Sequence, residues 1–447
     1  MKKLIIALPF VAGAAAIAGT SQYSGSQTES EYHELLAQLN RQLHLVFVNE
    51  RYDSGMIKSS AVTKVMTSRS ADAELLFRLQ HDIEHAPLRM GTEGMNLGTV
   101  SINTQLLEDT SGSQEFAAWF ANSTPFTIKT DVKYTGEIIN QVRINALEIS
   151  DEGVDLNWSG LQFDSKTQNG ATVGEGSLGT WMFNDENSGG VINVESGQLN
   201  LDVQHHGDNI YTGDSTVTFD SVSVSSPDIP VPVALSRFEL YSGTDMEGEV
   251  MNGNTRISLK GIDSPLPLQN ASMDIEMEGL VVEGMRRYND LVVAATSDPD
   301  SNMDDSVFLE SIAGALADMV GPGSALRYAI DLGNAEGDVN ADIRLGVKEA
   351  SADGMSENAL KNVVTGRDLL NVITLNGSLN ADVAALAGTP VMMMLGGVGE
   401  FVTVTDESIL SEVSLEGTTL NVNGVEMPLD ILSGGMLDVP FSDLLQM

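Results

Sequence analysis

The chain has 447 residues, no cysteine, and 63 Asp and Glu against 23 Lys and Arg, a formal charge of −40 at neutral pH. That balance excludes a nucleic-acid partner, because phosphate backbones are bound by clustered cations that release counterions. The missing thiols exclude disulfides, thiolate catalysis, iron–sulfur clusters and Cys-bound zinc, while 42% apolar residues are too many for a disordered chain.

Residues 1–20 read as a targeting segment. Lys2 and Lys3 precede an uncharged apolar run from Leu4 to Ala18, and Ala16-Ile17-Ala18 has the small-residue spacing that a signal peptidase uses. The run is short for a bilayer-spanning helix and contains Pro9 and Gly13, so cleavage and retention as an N-terminal membrane anchor both stay open. Either way the expected location is the bacterial periplasm, with the inner membrane as partner through the N-terminus. No later stretch is uncharged for long enough to cross as a helix.

The next 280 or so residues (21–300) are expected to form one helix followed by a hairpin-rich region. Thr28-x-x-Glu31 is a capping box, and Tyr32, Leu35, Leu36 and Leu39 then recur at helical spacing up to Asn40. From Leu43 to about Ala295 the apolar rhythm is period two, as in Leu199-Leu201-Val203. Turn signals such as Asn169-Gly170, Ser196-Gly197 and Asn252-Gly253-Asn254 interrupt it.

Residues 301–447 predict a mixed region packing on the same sheet. A helix spans Val307 to Val320 and is stopped by Gly321-Pro322-Gly323; a weaker one spans Glu357 to Val364. Strands are expected over Ala341–Val347, Leu370–Asn380 and on both sides of Asn423-Gly424, whereas Val391–Leu395 fits a short helix or a buried strand. The fold class is therefore β-rich α+β, a long curved antiparallel sheet of successive hairpins with a few covering helices. An outer-membrane barrel is disfavoured, since 3 Trp and 8 Tyr are too few for its aromatic girdles.

Two short blocks carry a family resemblance. Tyr52-Asp53-Ser54-Gly55-Met56-Ile57-Lys58-Ser59-Ser60-Ala61 resembles the Tyr-x-x-Gly…Ser-Ser pattern of the YdgA-like family of bacterial envelope proteins. His81-Asp82-Ile83-Glu84-His85-Ala86-Pro87-Leu88 is similar to its His-x-Ile-x-His-Gly-Pro-Leu block, with Ala86 in place of the Gly. The residues matched are Tyr52, Gly55, Ser59, Ser60, His81, Ile83, His85 and Pro87. The resemblance implies an inner-membrane-tethered periplasmic protein, with a homodimer among its arrangements, and implies no activity.

His81-Asp82-Ile83-Glu84-His85 also spells the H-x-x-E-H metal string, whose chemistry requires both His on one helical face with Glu beside them. Yet Leu75, Phe77, Leu79, His81, Ile83 and His85 alternate as one strand face, which sends Glu84 to the other side. Asp298-x-Asp300-x-Asn302-x-Asp304 begins like a calcium loop but has Met303 where Gly is needed and Leu309 where Glu is needed. Gly174-x-Gly176-x-x-Gly179 matches a dinucleotide fingerprint by letter only, since Thr180-Trp181-Met182-Phe183 follows as strand rather than helix. His205-His206 reads as solvated.

The sequence thus predicts a non-enzymatic binding or scaffold role without a cofactor. The apolar sheet face either packs as core or forms a groove for a lipid-like ligand or an envelope-protein segment. Helices 307–320 and 357–364 filling that face would remove the groove. The alternative is a periplasmic metal-dependent hydrolase using His81, Glu84 and His85.

Overall fold

The computed structural model describes residues 32, 33, 36, 46–55, 57–66, 75–85, 89–91, 94–96, 98–108, 111–120, 124–207, 210–263, 268–297, 305–348, 363–386, 401–432 and 436–439. The chain is strand-dominated and forms one long open antiparallel sheet of successive hairpins with a few helices, as the period-two rhythm predicts. Two compact units are present, residues 1–230 with 290–303, and residues 231–289 with 304–447.

In the first unit the strands are β1 (Val46–Asp53), β2 (Lys58–Met66), β3 (Leu75–Glu84), β4 (Arg89–Gly91), β5 (Gly94–Asn96), β6 (Gly98–Leu107), β7 (Phe126–Lys133) and β8 (Ile138–Ile144). They are followed by β9 (Leu147–Asp151), β10 (Val154–Trp158), β11 (Leu161–Gln168), β12 (Ala171–Leu178), β13 (Trp181–Asp185), β14 (Gly190–Val194), β15 (Gly197–His205), β16 (Tyr211–Phe219) and β17 (Val222–Ser226). A main ladder runs β1-β2-β3-β6-β7-β8-β11-β12-β15-β16. A second ladder runs β9-β10-β13-β14-β17.

Five times the chain steps between the two ladders over two residues, Asn145-Ala146, Ser159-Gly160, Gly179-Thr180, Glu195-Ser196 and Asp220-Ser221. Backbone bonds continue through these steps: Gly179 N donates to the Gly160 carbonyl at 2.8 Å and Glu195 N to that of Ser221 at 2.9 Å. Gly160 has φ +97°, and a Cβ there would sit 2.3 Å from the Ile144 carbonyl oxygen, so only glycine fits the step.

Alternation along these strands puts Phe77, Leu79 and Ile83 of β3, Val142 of β8 and Phe163 of β11 in one buried core. Helix α1 (Ser111–Ala118), which the period-two reading passes over, covers β3; Phe116 stacks on Phe77 at 6.2 Å and meets Trp119 and Phe120 at 5.5 and 5.2 Å. Tyr32, His33 and Leu36 are helical as the capping box predicts, and Tyr32 and Leu36 are buried in the same core.

The second unit is an antiparallel ladder of β18 (Ile229–Glu247), β19 (Val250–Asp263), β20 (Asn270–Val281), β21 (Val320–Gly333), β22 (Asp338–Val347) and β23 (Ile373–Asp382). β25 (Ser408–Glu416), β26 (Thr419–Val422) and β27 (Val425–Pro428) extend it, and β24 (Thr403–Val404) pairs with β25. The Asn423-Gly424 turn joins β26 to β27 with both residues at positive φ.

Several expectations are corrected here. Strand rhythm ends at Val281 rather than near Ala295, because helix α2 (Val282–Ser297) starts there with Glu283 in its first turn, where the helix dipole favours a carboxylate. Helix α3 (Asp305–Met319) stops one residue early, and Gly321-Pro322-Gly323 becomes part of β21 at an irregularity against β20, held by Ser324 Oγ, which accepts from Gly321 N at 3.0 Å and donates to the Gly279 carbonyl at 2.6 Å.

Val363 and Val364 are not helical; the helix is α4 (Gly366–Val372), which takes the start of the expected strand at Leu370. The Thr365 side chain and Asp368 supply its reciprocal capping box. The remainder of 357–364, and Val391–Leu395, lie outside the described residues. Short α5 (Val383–Leu386), α6 (Leu429–Leu432) and a single 3-10 turn (Met436–Asp438) complete the described helices.

Candidate functional site

Antiparallel register brings the two motif blocks together. Tyr52 of β1 faces Ala61 of β2, Ser59 faces Ile83 of β3, and Ala61 faces His81. The β1–β2 connection is pinned from both sides: Ser59 Oγ accepts from Gly55 N at 3.1 Å and bonds His85 Nε2 at 2.8 Å, while His85 N donates to the Ile57 carbonyl at 2.7 Å. A Cβ on Gly55 would stand 2.1 Å from the Lys58 carbonyl oxygen, which explains the glycine. Ser60 points to the opposite face from Ser59, and Pro87 lies outside the described residues.

One turn of chemistry deeper, Thr63 is fully buried and its hydroxyl sits between two rings. It bonds Tyr32 Oη at 2.5 Å and His81 Nε2 at 2.8 Å, and His81 Nδ1 continues to Thr104 Oγ1 at 2.8 Å. Tyr32 also meets His81 edge-on and Tyr52 at a tilt, both with ring centroids 5.6 Å apart. Desolvation drives the His81 imidazole down to about 4 and the Tyr32 phenol up to about 12, the latter against the lowering effect of its Thr63 bond. Both groups are therefore neutral at pH 7. A neutral imidazole with a hydroxyl on each nitrogen is a positioning element that ties the Tyr32 helix to β2, β3 and β6.

This geometry answers the metal string. β3 is a strand, so Glu84 is directed away from His81 and His85, and it pairs with Lys58 at 3.0 Å on the solvent side. Among the described residues no group of three His, Asp or Glu is placed to hold a metal ion. Gly174 and Gly176 lie inside β12, with strand β13 following, so no phosphate-binding helix start is present there. His205 stacks on Tyr211 at 4.7 Å and His206 bonds Thr212 Oγ1 at 2.8 Å. Asp298, Asp300, Asn302 and Asp304 lie outside the described residues.

The second feature is a sheet face in the second unit. In register across β19 to β23 run three rows: Ile257-Met273-Ile330-Ala341-Leu379, Thr255-Ile275-Tyr328-Ile343-Gly377 and Gly253-Met277-Leu326-Leu345-Leu375. None of these positions is charged. The reverse face carries Arg256 with Asp274, Arg327 with Glu276 and Asp342, and Arg344 with Glu278, all ion-paired across strands.

Of the two expected covering helices, 357–364 lies outside the described residues but for its last two, and among the described residues helices α3 and α4 leave the apolar face open. Helix α3 lies against β20 and β21, and α4 against β23 and β25, yet Met277, Tyr328, Ile330, Ile343 and Leu345 stay between 39% and 48% exposed. Alternation predicts the two-faced character of these strands; which strands would lack a cover was not legible in their spacing.

A family model described as Bacterial protein of unknown function (DUF945) matches residues 1–430. No curated protein and no solved structure matches the chain.

Proposed function

The chain belongs to this bacterial family of unknown function, and on that premise we propose that it is a YdgA-like envelope protein, held at the inner membrane by its N-terminus, that binds an apolar ligand or partner segment on the open sheet face of its second unit and performs no chemistry. The observation that carries the reading is the group of five large apolar side chains, spread over the three rows and each 39–48% exposed, on a face whose rows hold no charge. Soluble monomers seldom leave contiguous apolar patches beyond a few hundred Å² open, and larger ones mark interaction sites. The motif cluster supports a structural division of labour: its buried Tyr32–Thr63–His81–Thr104 chain fixes the helix that follows the N-terminal segment onto the first unit.

Native mass spectrometry of the full chain extracted from membranes, before and after denaturation, tests this. The expected result is added mass, from a lipid, a peptide or a second copy, that denaturation releases. A bare single-chain mass under both conditions overturns it.

A further inference from the structure

Resting on that reading, we infer that the occupant of the open face is the hydrocarbon chain of a neutral or zwitterionic lipid. Three observations favour hydrocarbon over protein. First, β19, β20, β21, β22 and β23 are each paired on both sides, so the patch offers no free edge for an added strand.

Second, the three central rows supply only the Tyr328 and Thr255 hydroxyls as polar side-chain groups. Protein interfaces place about one hydrogen bond in every 100–200 Å² and surround their core with a polar rim, whereas an alkyl chain asks for neither.

Third, the dimensions fit. Five strands at the usual spacing are about 19 Å across, and the six-residue rise from Ala271 to Met277 is about 20 Å, against about 15 Å for the hydrocarbon depth of one leaflet.

Charge selects among lipids and against self-association. Each copy carries a formal −40, so a second copy or an anionic headgroup meets repulsion that a zwitterionic or uncharged headgroup does not.

The test places photoreactive benzoylphenylalanine at Ile343 in the full chain, with the same probe at Asn340, which is exposed on the opposite face, as control. Each protein is irradiated with dioleoylphosphatidylcholine vesicles and its intact mass is read. The expected outcome is lipid adducts at position 343 in about tenfold excess over position 340. Tyr328, already aromatic, takes the probe as a second position should the Ile343 variant fold poorly. Chain-to-chain or peptide adducts at 343 without lipid overturn the hydrocarbon inference and leave the binding reading standing. Equal yields at both positions overturn the inference, and a bare native mass of membrane-extracted chain overturns the reading as well.

Discussion

Thr63→Val separates a structural role of the motif cluster from a chemical one. The substitution keeps shape but removes a hydroxyl that is fully buried and bonded to both Tyr32 Oη and His81 Nε2. Each orphaned polar group costs about 1–3 kcal/mol, so the variant should lose about 2–5 kcal/mol, a large part of an ordinary domain's stability. Tyr32→Phe in the same background removes one of the two orphans, so the double variant should recover about 1–2 kcal/mol relative to the additive sum. The assay is urea unfolding of the four proteins of the cycle, followed by the fluorescence of Trp119, which is buried in the same core. A loss below about 0.5 kcal/mol for Thr63→Val, or strict additivity, would refute the argument.

Four further outcomes follow from the same geometry. His81 is held near 4 in the fold against 6.5 for the free group, so the unfolded chain takes up the proton first: the contribution is complete above pH 6.5 and is lost as pH falls toward 4. About 2–3 kcal/mol of acid sensitivity over that window should be present in the wild type and absent from His81→Gln when urea midpoints are compared across pH, and identical slopes would contradict it. Gly55→Ala must move the Lys58 carbonyl and should lower stability by about 1–3 kcal/mol in the same melts; a neutral effect would show that the connection relaxes freely. Arg327→Gln removes a cation shared by Glu276 and Asp342 on the wet face and should cost about 1 kcal/mol at low salt and little at 1 M salt. A chelator should leave the melting temperature within about 1 °C, and a larger fall would revive the metal string.

Much of the fold was legible because period two is a direct readout of a one-sided strand. The stretch around Leu199, Leu201 and Val203 and the Asn423-Gly424 turn reappear as β15 and the β26–β27 hairpin. Alternation favoured a strand for His81 to Glu84 but left the hydrolase as an alternative, and it is β3 itself that separates Glu84 from both His. Helix α1 was passed over because eight residues between two strands give too few turns for a period to stand out, although Phe116, Trp119 and Phe120 do recur at helical spacing. Helix α2 was hidden by Leu280-Val281-Val282, whose β-prone side chains run across the true boundary. The Tyr32–Thr63–His81–Thr104 chain joins four elements far apart in sequence, and no local pattern encodes which hydroxyls meet an imidazole. The exposure of Ile343 was illegible for the same kind of reason, since a strand records which face is apolar and not whether anything lies on it.

The most direct test of the account inserts charge into the open face. Ile343→Glu with Leu345→Glu alters two side chains that are 48% and 41% exposed, so a face that is free in the empty protein should tolerate both at about 0.5 kcal/mol each. The bound apolar material seen by native mass spectrometry should then disappear while the urea midpoint barely moves. A variant that keeps its bound mass, or that loses several kcal/mol of stability as a buried core would, contradicts the claim that this face is a binding surface.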